Sequence, residues 1–308
     1  MILRFMRNAY RVISSYNADG IRIHTFARFF MLQFLFRLKR PKSVFFLGEE
    51  VPFSFTQTGP TSTFYHGVNE PRDMLFLSAI LNERYQFIDV GANIGLFTLL
   101  ASKCNVSKII AVEPDKSNFH QLKSNLKSWN VTNCSLFNCA LGSHNGKVEL
   151  FGHDVSVRAK YVSEVVSEGE GAVECLSLDG LISNCDGYNR IIKIDTEGFE
   201  LMVLMGGLDT IAQWDTKIII IEINDNLDSA DDKREIFRIL NQNGFFAYMY
   251  DMNKAEIIQI QDNFKRSENT IFIKQHFVDT VRSELRRNEQ PIYWKLLEAR
   301  RSICNFKM

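Results

Sequence analysis

No stretch of this sequence carries about 20 consecutive apolar residues, the length a helix needs to cross a bilayer. The most apolar segment, residues 26–38, is interrupted by Arg28 and Arg37, which leave only eight residues between them. The amino-terminal region lacks a leader's short basic start, apolar run and small-residue cleavage site, so export is not expected. Cysteine is sparse: the six residues show no Cys-x-x-Cys pair or metal-finger spacing, which argues against a zinc ribbon or a disulfide framework. Reduced thiols point to the cytoplasm, and the Asn-x-Ser/Thr triplets starting at Asn105, Asn130 and Asn133 are read as chance. Net charge is absent too, with 36 basic and 36 acidic residues. There is no Gly-x-Gly-x-x-Gly for a dinucleotide and no Gly-Lys-Ser/Thr for a nucleotide phosphate. Nor is there a Pro-Pro to hold a flipped base, or a Pro-Cys nucleophile for cytosine chemistry.

What is present is concentrated at residues 87–95, Phe-Ile-Asp-Val-Gly-Ala-Asn-Ile-Gly. Apolar residues around Asp89 read as a buried strand, Gly91 to Gly95 as a tight turn, and Leu96 onward as a helix start. This is the opening of a nucleotide-binding βαβ unit. A pyrophosphate needs a second glycine where Asn93 stands, so that backbone amides can approach it. The turn therefore suits a nucleoside ligand without phosphates, of which S-adenosylmethionine is the commonest. Residues 108–113, Lys-Ile-Ile-Ala-Val-Glu, form a second apolar strand ending in a carboxylate. An acid about 20 positions past the glycine turn is placed to accept hydrogen bonds from ribose hydroxyls, which assigns that role to Glu113.

The zero net charge conceals an asymmetry. Residues 1–42 hold nine Lys or Arg against the single acid Asp19, and residues 281–308 hold seven basic against three acidic. The acidic middle is a poor surface for nucleic acid, whereas the ends suit phosphate or lipid headgroups. For residues 1–42 two readings stand: a basic amphipathic helix lying peripherally on a membrane, or a helix packing its Phe and Leu face onto the main domain or a partner. Packing is the expectation.

The periodicity predicts an α/β fold: a doubly wound, mostly parallel seven-stranded sheet with an antiparallel terminal strand and helical extensions at both ends. Residues 1–43 form the basic helical extension, residues 44–280 the Rossmann-like domain and residues 281–308 a basic helical tail. Within the domain, short strands broken by Pro52 fall in 44–55, and further strands are expected near 85–90, 108–113, 134–139, 147–151, 191–195, 218–223, 244–250 and 270–273. Helices are expected near 72–81, 95–103, 117–129 and 230–243. The isoleucine-rich runs at 191–195 and 218–223 read as central strands buried on both faces. Residues 152–172 are polar and glycine-bearing, and read as a loop or hairpin over a substrate site or as a surface insertion.

The ordered segments 87–95, Ala111-Val112-Glu113-Pro114, Asn138-Cys139-Ala140-Leu141-Gly142, Leu178-Asp179, the string 192–200 (Ile-Lys-Ile-Asp-Thr-Glu-Gly-Phe-Glu) and Ile221-Glu222-Ile223 resemble the FkbM family of S-adenosylmethionine-dependent methyltransferases. The resemblance covers roughly residues 64–274. It implies O-methylation of a hydroxyl on a sugar or glycan-like acceptor. Cofactor contacts are expected from Asp89, Gly91, Asn93, Gly95 and Glu113, with Ala140 and Leu141 beside the adenine. A hydroxyl acceptor benefits from a general base. Asp195 and Glu197 are the first candidates, with Glu222 and His66 behind them. The two acids otherwise hold cofactor or cap the helix that follows, and Lys193 is placed to pair with them. A metal-assisted variant, with Asp195, Glu222 and Asn224 as oxygen ligands for Mg²⁺, is the less favoured route. Competing functions are a non-catalytic nucleoside-binding or scaffolding module of the same fold and, against Asn93, a nicotinamide oxidoreductase.

Overall fold

The computed structural model describes residues 22–37, 43–52, 63, 66–151, 158–161, 172–182, 188–223, 229–261, 268–287, 290–301 and 306–307. The expected helix over residues 1–21, most of segments 53–65 and 152–172, and Asn224 lie outside the described residues. The chain divides into two compact units, Met1–Ala79 with Asn288–Met308, and Ile80–Arg287.

The first unit opens with helix α1 (Arg22–Arg37), followed by the hairpin β1 (Ser43–Phe46) and β2 (Glu49–Pro52), and helix α2 (Pro71–Ile80) runs up to its boundary. Leu47 (φ 51°) and Gly48 (φ 87°) both take left-handed backbone at the hairpin turn, as a two-residue turn between right-twisted strands requires. Pro71 begins α2, where its fixed φ suits the helix and its missing N–H costs nothing.

The second unit begins with β3 (Tyr85–Val90), α3 (Leu96–Lys103), β4 (Lys108–Val112), α4 (Lys116–Ser128) and β5 (Cys134–Phe137). Next come β6 (Ala140–Leu141), β7 (Gly146–Phe151), β8 (Arg158–Tyr161), β9 (Ala172–Leu176) and α5 (Leu178–Ile182). Then follow β10 (Asn189–Ile194), α6 (Glu200–Met205), α7 (Leu208–Ala212), β11 (Thr216–Ile223), α8 (Ala230–Gln242), β12 (Phe245–Asp251), β13 (Glu256–Gln259), β14 (Glu268–Lys274) and α9 (Val278–Arg287). Helix α10 (Pro291–Arg301) and β15 (Phe306–Lys307) return to the first unit, where β15 pairs antiparallel with β1.

The main sheet is doubly wound, with strand order β13-β12-β14-β11-β10-β3-β4-β5. β11, β10, β3, β4 and β5 are parallel, and β14 enters antiparallel beside β11. The sheet has eight strands where seven were expected, because the chain turns back after β12 and adds β13 as an edge hairpin. The isoleucine runs explain its centre: Ile191, Ile192 and Ile194 of β10 and Ile218 to Ile221 of β11 are buried, as strands covered on both faces must be. The strand expected over 134–139 stops at Phe137. Asn138 turns its side-chain amide onto the carbonyls of Glu113 and Pro114 (2.9 and 3.2 Å), and the chain passes into a separate four-stranded sheet ordered β6-β9-β7-β8.

The chain runs outward from β3 through β4 to β5 and returns to place β10 on the other side of β3. The order therefore reverses between β3 and β10. In open α/β sheets the ligand crevice lies at the carboxyl ends of the strands that flank such a reversal.

Candidate active site

β3 delivers Asp89 and the turn Gly91–Gly95 to this crevice. Gly91 has φ 80°, and a Cβ there would lie 1.8 Å from the carbonyl oxygen of Asp195. Only glycine lets the turn approach the end of β10 so closely, and the Asp195 amide donates to Val90 O at 3.0 Å across the gap. Asn93 (φ 51°) and Gly95 (φ 95°) complete the left-handed bends, and Asn125 of α4 clamps the turn by donating to Ile94 O at 2.9 Å. The buried Asp89 accepts from Thr98 Oγ1 at 2.7 Å through Oδ2, while its Oδ1 has no hydrogen-bond partner among the described residues. Burial raises the Asp89 pKa above its ordinary value, opposed chiefly by the charge of Lys193.

Glu113 stands just past β4, buried, with both carboxylate oxygens on main-chain donors: Asn93 N at 2.8 Å and Asp115 N at 2.9 Å. The acid predicted to meet a ribose thus also anchors the glycine turn. The Asn118 side chain also hydrogen-bonds this carboxylate, and of its about four lone-pair sites one is left for a further donor. Burial pushes the Glu113 carboxyl up to about 7 against the lowering effect of the two amides.

Across the crevice, β10 ends in Lys193 and Asp195. Lys193 is buried in register with Asp89, donates to Asp195 Oδ2 at 2.6 Å and lies 4.5 Å from the Phe97 ring centroid. The chain then turns through Glu197 (φ 55°) and Gly198 (φ 100°), a left-handed pair that a glutamate adopts only under constraint. The constraint is Glu200, a residue with 1% exposure at the start of α6. Its carboxylate accepts from Thr196 N (2.8 Å), Thr196 Oγ1 (3.0 Å) and Gly198 N (3.0 Å). The result is a trio in which oxygens of Asp195, Glu197 and Glu222 lie within 4.8 Å of one another. Oxygen donors are the type Mg²⁺ accepts. Of the set expected from sequence, Asp195 and Glu222 are in the trio, and Asn224 lies outside the described residues.

The predicted residues thus fall into groups. Asp89, Gly91, Asn93, Gly95 and Glu113 form one wall, and Asp195, Glu197 and Glu222 converge opposite. Ala140 and Leu141 are buried in β6 and belong to the core, Leu141 to the cluster that includes Val90 and Val112, Ala140 to the one that includes Val148 and Cys175. His66 belongs to the first unit, where burial, then the charges of Arg300 and Arg28, push its imidazole down to about 3. So weakly basic a ring is a poor general base. Glu200 and Asn125 escaped the sequence reading as positioning residues. For Glu200 a signal existed in its spacing, since an acid opening a helix four positions after Thr196 can fold back onto the preceding amides.

The Methyltransferase FkbM domain model matches residues 89–247. Similar solved structures include the methyltransferase FkbM of Methylobacillus flagellatus KT, at 13% identity over 88% of this chain and 58% of that one, with a TM-score of 0.44. The chain therefore spans less than two thirds of that protein's length. The precorrin-6y C5,15-methyltransferase of Geobacter metallireducens GS-15 is 12% identical over 67% of this chain and 87% of that one (TM-score 0.37). The Streptococcus mutans protein SMU.1697c, solved in complex with SAH, is 11% identical over 65% and 93% (TM-score 0.38). No curated protein matches. With more than half of its length matched by the family model, from Asp89 at the crevice to Ala247 in β12, this chain belongs to the FkbM methyltransferase family.

Proposed function

We propose that the protein is an S-adenosylmethionine-dependent O-methyltransferase acting on a hydroxyl of a sugar or glycan-like acceptor. The observation that carries this reading is the pairing across one crevice of a glycine turn anchored by Glu113 with the trio Asp195, Glu197 and Glu222. The cofactor fits the residues on the first wall. Glu113 keeps a lone pair for a ribose hydroxyl, and the orphaned Oδ1 of Asp89 is an acceptor suited to an ammonium donor. Bound there, S-adenosylmethionine supplies an electrophilic methyl group on a sulfonium sulfur.

The remaining chemistry belongs to the protein. A hydroxyl has a high pKa, and a carboxylate base within hydrogen-bond reach would take its proton. Asp195 is already ion-paired with Lys193, which suits it to orientation. Glu197, displayed by the strained loop that Glu200 holds, is assigned as the base, with Glu222 beside it. Alignment of acceptor oxygen and methyl group is the other contribution, and a constrained loop serves it. Lys193 brings a cation to the acid cluster, so turnover without a divalent metal is expected; loss on EDTA treatment that Mg²⁺ restores would instead place an ion among the three acids.

The deciding experiment is calorimetric titration of S-adenosylhomocysteine into the protein and into Glu113→Ala, followed by transfer of labelled methyl to a glycan panel. Binding that the substitution abolishes, with label appearing on a hydroxyl, supports the reading. Binding without transfer to any acceptor would favour a nucleoside-binding module. Binding of NAD alone would favour a nicotinamide enzyme.

A further inference from the structure

The end of the main sheet opposite the crevice, where β11 begins and β14 finishes, holds a cluster that the proposed reaction does not use. Trp214, in the turn between α7 and β11, is 70% exposed, yet its indole lies flat on the His276 imidazole, with 3.5 Å between centroids and 6° between planes. His276 is itself exposed, in the 3-10 turn Gln275–Phe277 that joins β14 to α9. The third member is Lys217 of β11, only 5% exposed. Its Nζ donates to Trp214 O at 2.8 Å and lies 3.1 Å from His276 Nε2. The same ammonium stands 4.7 and 5.6 Å from the ring centroids of Trp214 and Phe277. One side chain thus ties the α7–β11 turn to the β14–α9 junction.

That tie restricts charge. A lysine and a histidine with nitrogens 3.1 Å apart share a hydrogen bond only while one of them supplies a lone pair, so the pair carries one positive charge. The groups around it do not relieve a second. From β14, Lys274 adds a further cation, its Nζ donating to the carbonyls of Ile211, Ala212 and Gln213. The carboxylate that acts on both lysines, Asp215, is already paired with Arg190 of β10 at 2.6 Å. Desolvation, then the charges of Lys217 and Lys274, hold the His276 pKa below its ordinary 6.5. A histidine pKa lowered by folding means that the contact's stabilisation is present above about pH 6.5 and is lost as the pH falls through the folded value. We infer that Trp214, Lys217 and His276 form an acid-released latch: closed while the Lys217–His276 pair holds one charge, and opened by the repulsion when both carry a proton, so that the rings part and the indole is freed. Release is local, because Arg190 keeps Gln213 and Asp215 in place and Lys274 keeps the last carbonyls of α7.

Iodide quenching of tryptophan emission in the full chain, followed at fixed ionic strength through the histidine range, tests this together with the His276 ring-proton resonances. The sequence also contains Trp129 and Trp294, so the Trp214 signal is the difference between wild type and Trp214→Phe. On acidification that signal should become more open to iodide, with a midpoint below 6.5 and an unchanged far-ultraviolet circular dichroism. The His276 ring protons, shifted upfield by the stacked indole, should lose that shift at the same midpoint. His276→Gln leaves Lys217 an acceptor that does not titrate, and should abolish the transition. Lys217→Met removes the opposing charge, so a charged His276 can stay on the indole face and its midpoint should rise. A wild-type His276 that titrates at or above 6.5 overturns the inference, as does a transition that persists in His276→Gln. A transition seen only with loss of the circular dichroism signal equally overturns it, because release would then be global unfolding.

Discussion

Replacing Glu200 by alanine removes no group that touches acceptor or cofactor, yet it should stop turnover. The side chain satisfies three donors on the loop before α6: Thr196 N, Thr196 Oγ1 and Gly198 N. Thr196 is half-buried and Gly198 exposed, so water takes up part of what each donor loses, and of the about 1 kcal/mol per bond a total loss of about 2 kcal/mol is expected. For a unit of this size that lowers the melting temperature by roughly 5–10 °C. The loop has a second term, because Glu197 sits in left-handed backbone at a cost of about 1 kcal/mol that the Glu200 bonds offset. Freed of them, the chain relaxes and carries Glu197 away from Asp195 and Glu222. Since small misplacements of catalytic groups cost about a hundredfold, kcat should fall by that order. The affinity for S-adenosylhomocysteine, which we propose rests on Glu113 across the crevice, should stay within about twofold. Glu197→Gln supplies the contrast: a similar loss of kcat with an unchanged melting temperature. Differential scanning calorimetry, calorimetric titration and acceptor kinetics on the two variants complete the comparison. An alanine variant that keeps both its melting temperature and its kcat would refute the loop-lock argument.

Other expectations come from single features. Gly91→Ala drives a Cβ into the Asp195 carbonyl at a positive φ, and should lose cofactor binding together with about 3 kcal/mol or more of stability, measurable by urea denaturation. Glu113 has a folded pKa raised to about 7 from an ordinary 4.5, so its carboxyl is more easily protonated in the folded state. Its contribution to stability is complete below about pH 4.5 and lost as pH rises to about 7, a change of roughly 3 kcal/mol that Glu113→Gln should flatten in thermal melts from pH 4.5 to 8. Ribose hydroxyls donate to the ionised form, so S-adenosylhomocysteine affinity should rise between pH 6 and 8; affinity that falls over this range would count against Glu113 as the ribose acceptor. At the opposite end of β10, the buried guanidinium of Arg190 pairs with Asp215 at 2.6 Å. Asp215→Ala leaves it to Gln86 and Gln213, and should cost about 2–3 kcal/mol in chemical denaturation without changing cofactor affinity.

Much of the fold was legible because regular elements write their burial into local sequence. The isoleucine runs of β10 and β11, the Phe87–Val90 strand and its glycine turn each require a specific residue type at a specific spacing, and a neighbour a few positions away suffices to read them. The position of Glu113 at the end of an apolar strand was legible for the same reason. Its hold on Asn93 N was not, because that contact forms only when β3 and β4 are side by side.

The sequence by itself determined the central strands, the crevice turn and the acidic residues available to it, since periodicity and backbone sterics act over a few residues. Tertiary structure alone decided which carboxylates meet, and it brings Glu197 beside Asp195 and Glu222 by bending the loop around Glu200. It also decided that β15 pairs with β1, joining the ends of the chain in one unit, and that β13 extends the sheet. Nor was the contact of Arg28 with Ala299 O legible, because the partner of a buried charge lies far along the chain and leaves no trace in local pattern.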